Sequence, residues 1–455
     1  MKYMGKIVKG CWPYLASVVM LGGMTMPYAA MGGETSATEQ PFGAEDPFAV
    51  IGERKAVQSA DAAPQSSDLK PQARAEVFFR GFDVNVNQNS RINPGNQFQK
   101  LQSLTGMAET RLTLMDYFDR QQSLRWLFKS YAAKSSYGET DRTLCNQVTL
   151  CSQVRVDEMF ADWKGNNVFA SIGKRRVNWG HAQGFNPVNV IAPPRDPLNP
   201  SYQTEGQPMI WLDRSGGLGS LDLILTRNYT QNWNSKQNRW GLRWGGASAK
   251  SDYAIYVFDG SPYQDGRAFE RMVGASFSAD VMPGMTLYME AANFLHNYRN
   301  YYASDLAVQH KSGRYSQSVI GSSLDLGNRT SFFIEYLHND QGYSQSDRLN
   351  YLQAADARLA NGYDPTVVAD FAQLAMNRNY LLANYKKELR EKYNFNISAL
   401  FAEDRSSSTR AEITYAASDY YEIRSSYLYS AGDKESEFGN TPYRGLFEIG
   451  IKASF

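Results

Sequence analysis

The chain is poor in the side chains that most chemistry needs. Its 455 residues hold four histidines and three cysteines. His181, His296, His310 and His338 show neither metal-ligand spacing nor a nucleophile partner. No Cys-x-x-Cys-His run offers a covalent haem site, and no glycine-rich phosphate loop is present. No catalytic residue, metal ligand or cofactor site is therefore assigned, and the expectation is a protein that is not an enzyme. Charge imbalance is missing too. Lys2, Lys6 and Lys9 lie in a leader; taking them from the 47 basic residues leaves 44 against 46 acidic ones. Such a balance argues against nucleic acid as a partner. Outside the N-terminus there is no run of 18 apolar residues, which excludes helical membrane spans.

What is present is aromatic and alternating. Aromatics make up 13% of the chain, with 29 Tyr and 23 Phe, while mean hydropathy is low at -0.49. The last stretch shows the pattern best. Tyr443, Gly445, Phe447, Ile449, Ile451, Ala453 and Phe455 fall on one face, and Arg444, Leu446, Glu448, Gly450, Lys452 and Ser454 on the other. Period two is that of a strand, because successive side chains leave opposite faces. An apolar face ending on a terminal aromatic resembles the closing strand of a bacterial outer-membrane β-barrel, and that resemblance implies the barrel-assembly machinery and outer-membrane lipids as partners.

Residues 1–30 read as a signal peptide: a basic start, an apolar core from Tyr14 to Met26, and Tyr28-Ala29-Ala30 for cleavage. Residues 31–74 lack periodicity and read as a flexible periplasmic segment. The barrel is assigned to 75–455. Its strand candidates are 75–86, 106–117, 123–134, 153–163, 167–177, 207–213, 218–228, 237–247, 251–260, 268–279, 284–295, 314–325, 329–339, 378–388, 391–402, 409–417, 420–430 and 443–455. Most have the roughly 9–11 residues a tilted strand needs to cross a bilayer. The connections alternate long and short, as in a barrel threaded from one side with short periplasmic turns and long outer loops. This parity gives an all-β, antiparallel up-and-down transmembrane barrel of 18 strands, with sixteen as the fallback, and both termini periplasmic. One long loop, Leu349 to Met376, has helical spacing broken at Pro365 and predicts a small helical insertion.

A charge facing lipid at mid-membrane costs about 2–4 kcal/mol for Arg or Lys. The charges on the strands are therefore placed in the lumen: Glu109, Arg111, Arg125, Lys129, Arg243, Glu290, Glu335, Arg410, Glu412 and Arg424. Cross-strand ion pairing is their simplest role. Cys145 and Cys151 fall in a long loop and are assigned a disulfide, as befits an exported protein.

The distinctive segment is 173–208, a long loop stiffened by Pro187, Pro193, Pro194, Pro197 and Pro200. Ordered loops of this length are usually functional. Alternation puts Arg175 on the lumen face with Phe169, Ser171 and Gly173. It puts Lys174 and Arg176 on the lipid face, near the headgroups. Arg175, Arg195, His181, Trp179 and Asn186 are the candidates for a pore constriction. The run Gly173-Lys174-Arg175-Arg176-Val177-Asn178-Trp179-Gly180, with Phe185-Asn186-Pro187-Val188-Asn189, is similar to a strand-to-loop signature of porin-like proteins of the alginate-export type. The similarity covers roughly 40 residues. It implies an 18-stranded outer-membrane channel. This lumen mixes both signs where the alginate channel is arginine-rich, so alginate is not carried over as the solute. Two functions follow from the sequence. One is a porin passing small hydrophilic solutes. The other is the barrel sheath of a porin–cytochrome electron conduit, with a periplasmic or extracellular cytochrome as a separate partner.

Overall fold

The computed structural model describes residues 72–118, 124–135, 153–192, 196–199, 206–217, 219–227, 238–259 and 271–455, the last without 296, 298, 312 and 373–375. The leader, the segment 31–71, Arg195 and the Cys145–Cys151 pair lie outside these residues.

The strands are β1 (Gln72–Val86), β2 (Leu104–Tyr117), β3 (Leu124–Ser135), β4 (Gln153–Lys164), β5 (Val168–Arg175), β6 (Gln207–Gly216), β7 (Gly219–Arg227), β8 (Asn238–Ala247), β9 (Ser251–Asp259), β10 (Arg271–Met282) and β11 (Met285–Phe294). After them come the short ribbon β12 (Asn300–Tyr302) and β13 (Val308–His310), then β14 (Tyr315–Gly327), β15 (Thr330–Asn339), β16 (Asn379–Leu389), β17 (Tyr393–Ala402), β18 (Ser407–Ala416), β19 (Tyr421–Ala431) and β20 (Tyr443–Ser454). Apart from the ribbon, each strand pairs antiparallel with the next, making one 18-stranded sheet. β20 returns to β1 in a register running from Glu76 opposite Ser454 to Val86 opposite Tyr443, which closes the barrel. Closure removes the edges that an open sheet would expose.

Alternation then sorts the side chains. Ile255, Val273, Met289, Phe401, Ile449 and Ile451 point outward and are about half exposed, forming an apolar outer belt. Tyr256, Met272, Glu290, Leu400 and Glu448 point inward and are buried.

Two bulges overturn the simple alternation. At the start of β20 the register steps from Asn85 opposite Gly445 to Val86 opposite Tyr443. Arg444 is the extra residue, so Tyr443 turns inward to pack with Phe82, Leu101 and Leu446 instead of facing lipid. In β4 the register steps from Lys129 opposite Glu158 to Ser130 opposite Val156. Asp157 is left over and is buried on the same side as Glu158.

The long-loop end is interlocked. Helix α1 (Gln345–Ala360) starts on a capping box, in which Ser344 and Asp347 each bond the other's backbone N–H. Helix α2 (Pro365–Ala372) starts on proline, whose missing N–H costs nothing there. The helical insertion expected from the sequence is thus present. Tyr343, Tyr351, Leu352 and Val367 pack with Tyr301 and Tyr302 of the ribbon and with Ile92 of the β1–β2 loop. Asp370 accepts hydrogen bonds from Asn300 (2.9 Å) and Tyr302 (2.6 Å). Glu437, on the β19–β20 loop, bonds Asn377 (2.6 Å) and Tyr380 (2.5 Å), and burial pushes its carboxyl above the usual carboxylate range. Buried polar groups satisfied across several loops fix one arrangement of this end.

Candidate functional site: the loop inside the barrel

Gly173 stands two residues before the end of β5, paired with Phe160 of β4 and Met209 of β6. This glycine has φ +133°, a conformation open to glycine. A Cβ there would sit 2.7 Å from Phe160 Cα and nearer still to the Met159 carbonyl. The strand ends with the chain pressed against β4, and the loop that follows packs on inward-facing residues of the barrel.

Its first half rests on apolar wall. Trp179 is 3% exposed and stacks at a tilt on Tyr256, ring centroids 5.5 Å apart. Gly241 leaves the space for that indole, since a Cβ there would meet it at 2.7 Å. Val188 and Ile191 are fully buried among Met209, Ile224, Met272 and Ala292. Leu198, further along, lies with Leu382 and Leu400. Asp196 is within electrostatic reach of Arg410, on the far wall.

Two wall carboxylates hold the backbone. Glu290 on β11 accepts from the N–H groups of His181 and Ala182 (the latter 2.7 Å). Glu335 on β15 accepts from Gln183 (2.5 Å), Gly184 (3.0 Å) and Phe185 (2.9 Å), and from the Tyr288 hydroxyl (2.8 Å). Asn186 braces the turn from within. Its Nδ2 donates to the Trp179 carbonyl at 2.6 Å and its Oδ1 accepts from the Asn189 N–H at 3.1 Å.

The wall from β18 through β20 to β6 is different. It carries a ladder of ion pairs. Glu109 meets Arg111 at 2.6 Å and Arg80 at 3.3 Å. Glu448 meets Arg80 and Arg410, both at 3.4 Å. Glu412 joins Arg410 (3.0 Å) to Arg424 (2.8 Å). Asp162 sits between Arg125 (2.6 Å) and Arg175 (2.5 Å), and Lys129 faces Glu158 at 3.4 Å. Arg175 also lies 4.6–5.3 Å from the rings of Phe160, Phe169 and Trp211. A guanidinium so enclosed is held by cation–π attraction as well as by charge. On β8 and β7, Arg243 pairs with Asp222 at 3.0 Å.

These positions sort the residues singled out in the sequence. Arg175 is on the inward wall. Trp179 is an anchor on Tyr256, and Asn186 is a brace inside the loop. His181 binds through its backbone, with its ring 3.6 Å from Asp252. Arg176, expected near lipid headgroups, instead lies 3.8 Å from Asp157 and 3.7 Å from Glu158 on the inner side. The bulge at Asp157 and the positive φ of Gly173 within β5 go with this departure from strict alternation. Arg80, Arg155 and Asp157 belong to the same ladder and were not singled out; Arg155 meets Asp157 at 2.5 Å.

No protein family matches the chain, and no curated protein does. Solved structures do match in outline. A mutant of the Rh. blastica porin matches with a TM-score of 0.42 at 8% identity, over 85% of this chain and 100% of that one. Salmonella typhi OmpF in complex with daunomycin gives 0.46 at 9%, over 85% and 98%. An OccD1 (OprD) double mutant gives 0.48 at 10%, over 86% and 97%. The chain is similar to bacterial porins in outline alone.

Proposed function

We propose that this barrel is an outer-membrane channel for small hydrophilic solutes, narrowed by its own β5–β6 loop. The observation that supports this best is the asymmetry of the interior. The described loop residues lie chiefly against β7 to β17, through apolar contacts and the two wall carboxylates. The wall from β18 to β6 keeps a polar surface of paired charges. On this reading the solute passes beside that ladder, off the barrel axis. Ion pairs leave little net charge to reject either sign, because each cation has an anion within 4 Å. A sheath for a separate cytochrome would need the interior space that the loop takes up, so the channel reading is preferred.

The purified barrel is expected to conduct in planar bilayers and to let small sugars swell liposomes. A folded protein that does neither would overturn the reading. Arg175 and Arg195 are the residues proposed to set ion preference. Neutralising both as Arg175→Gln and Arg195→Gln should move the reversal potential in a salt gradient towards cations, since the partner Asp162 keeps its charge. An unchanged reversal potential in the folded double variant would remove them from the passage.

A further inference from the structure

The carboxylates of Glu290 and Glu335 differ from the other acids of the inner wall. Among the described residues, Glu109, Asp157, Glu158, Asp162, Asp222, Glu412 and Glu448 each face a guanidinium or an ammonium. Glu290 and Glu335 make no ion pair there, although they are 2% and 0% exposed. Their cross-strand partners are Ser276 and Val319 for Glu290, and Gly321 and Leu382 for Glu335. A buried carboxylate needs hydrogen-bond donors in place of water. Besides the Tyr288 hydroxyl on Glu335, the donors here are five consecutive backbone N–H groups, His181 to Phe185.

The loop sequence is suited to this. No proline falls between Asn178 and Asn186, so every amide in that stretch can donate; the prolines begin at Pro187. Gly180 has φ +94°, and a Cβ there would collide with Glu290 Oε1. A Cβ on Gly184 would meet Leu382, and would lie 3.1 Å from Glu335 Oε2. The two glycines let bare backbone come down onto the two carboxylates.

We propose that Glu290 and Glu335 are positioning residues that latch the loop, and that this latch sets the aperture of the channel. The inference rests on the channel reading above and adds a named cause for the size limit. A carboxylate accepting amide N–H groups makes charge-assisted bonds, about twice as strong as neutral ones. Glutamine is close in shape, but it accepts through one oxygen and brings an NH2 group towards the same amides. The loop should then leave its seat more often, without removal of any strand contact.

The test uses the full-length barrel with Glu290→Gln and Glu335→Gln, singly and together. The double variant should stay heat-modifiable on a gel, conduct in larger steps and admit larger sugars in liposome swelling. A folded double variant with unchanged conductance and size limit would overturn the proposal. A second readout does not depend on transport. Ala182, a loop residue only 3% exposed, is replaced by cysteine, which keeps its backbone N–H, in a Cys145→Ser, Cys151→Ser background. With the latch intact, Cys at this site should resist a water-soluble thiol reagent. In the single Glu335→Gln variant it should react about tenfold faster, as expected for losing charge-assisted bonds. Equal protection in both would refute the latch. If the original protein does not conduct but labelling follows the latch, the channel reading fails and the latch stands.

Discussion

Gly173→Val is expected to abolish the folded barrel. Two independent penalties fall on this residue. Its φ of +133° is a region that a β-branched side chain avoids, which alone costs roughly 1–3 kcal/mol. Its missing Cβ leaves the gap through which the Met159 carbonyl and Phe160 Cα approach. Backbone atoms cannot swing aside as a flexible side chain can, so relief requires β4 and β5 to part. Their register, from Met159 opposite Lys174 to Lys164 opposite Phe169, is a short one with little to spare. The expected total, about 4 kcal/mol or more, is in the range reserved for strain combined with overpacking. The check is heat-modifiability and urea unfolding beside Gly216→Val, which sits where a Cβ meets nothing within 4 Å. If both variants unfold alike, the close approach at Gly173 is not what holds β5 against β4.

The second large effect is expected at the other end of the chain. Phe455 donates its N–H to the Ala75 carbonyl at 2.8 Å, and Ala75 donates back at 3.0 Å. This pair ends the seam between β20 and β1, the contact of longest sequence separation in the barrel. A seam between chain ends closes late and gains nothing from local folding, because its loop-closure cost is the greatest. Phe455 is 67% exposed, so it adds little to burial in the finished barrel. Deleting Phe455 should therefore do most of its damage during insertion, leaving unfolded protein on the periplasmic side. Normal amounts of heat-modifiable barrel in the membrane would show that the terminal aromatic is dispensable.

The strands were legible in the sequence because their determinants are local. Alternation and turn residues bring the segment 314–325 within two residues of the observed Tyr315–Gly327, and 251–260 within one of Ser251–Asp259. The same rule fails wherever an extra residue enters a strand. Asp157 and Tyr443 face the interior because of bulges, and Arg176 lies just past the end of β5, beyond a glycine of positive φ; strict period-two reading has no means of registering these. The ribbon at Asn300–Tyr302 and Val308–His310 was missed because three residues show no period.

The site was half legible. The 173–208 loop stood out by its prolines, but the residues that seat it did not. Glu290 and Glu335 looked like any other inward acid. A signal was available on their own strands. Two residues either side of Glu290 stand Tyr288 and Ala292, and either side of Glu335 stand Phe333 and Leu337. Three of the paired acids have a cation at that spacing, Arg111 for Glu109, Arg410 for Glu412 and Arg155 for Asp157, whereas Glu158, Asp222 and Glu448 take theirs from another strand, so the signal is partial. An inward carboxylate with apolar neighbours on its own face needs a partner from another part of the chain. Here that partner is backbone more than a hundred residues away, which no local pattern encodes.

The measurement closest to the central claim is single-channel conductance of the barrel with and without its loop. Residues 178–203 are replaced by a short Gly-Ser linker that reconnects β5 to β6. The original protein should give small, steady steps. The loop-less barrel, if still heat-modifiable, should give steps several times larger with the ladder from β18 to β6 unchanged. Equal conductance from two folded proteins, or silence from both, would contradict a channel narrowed by this loop.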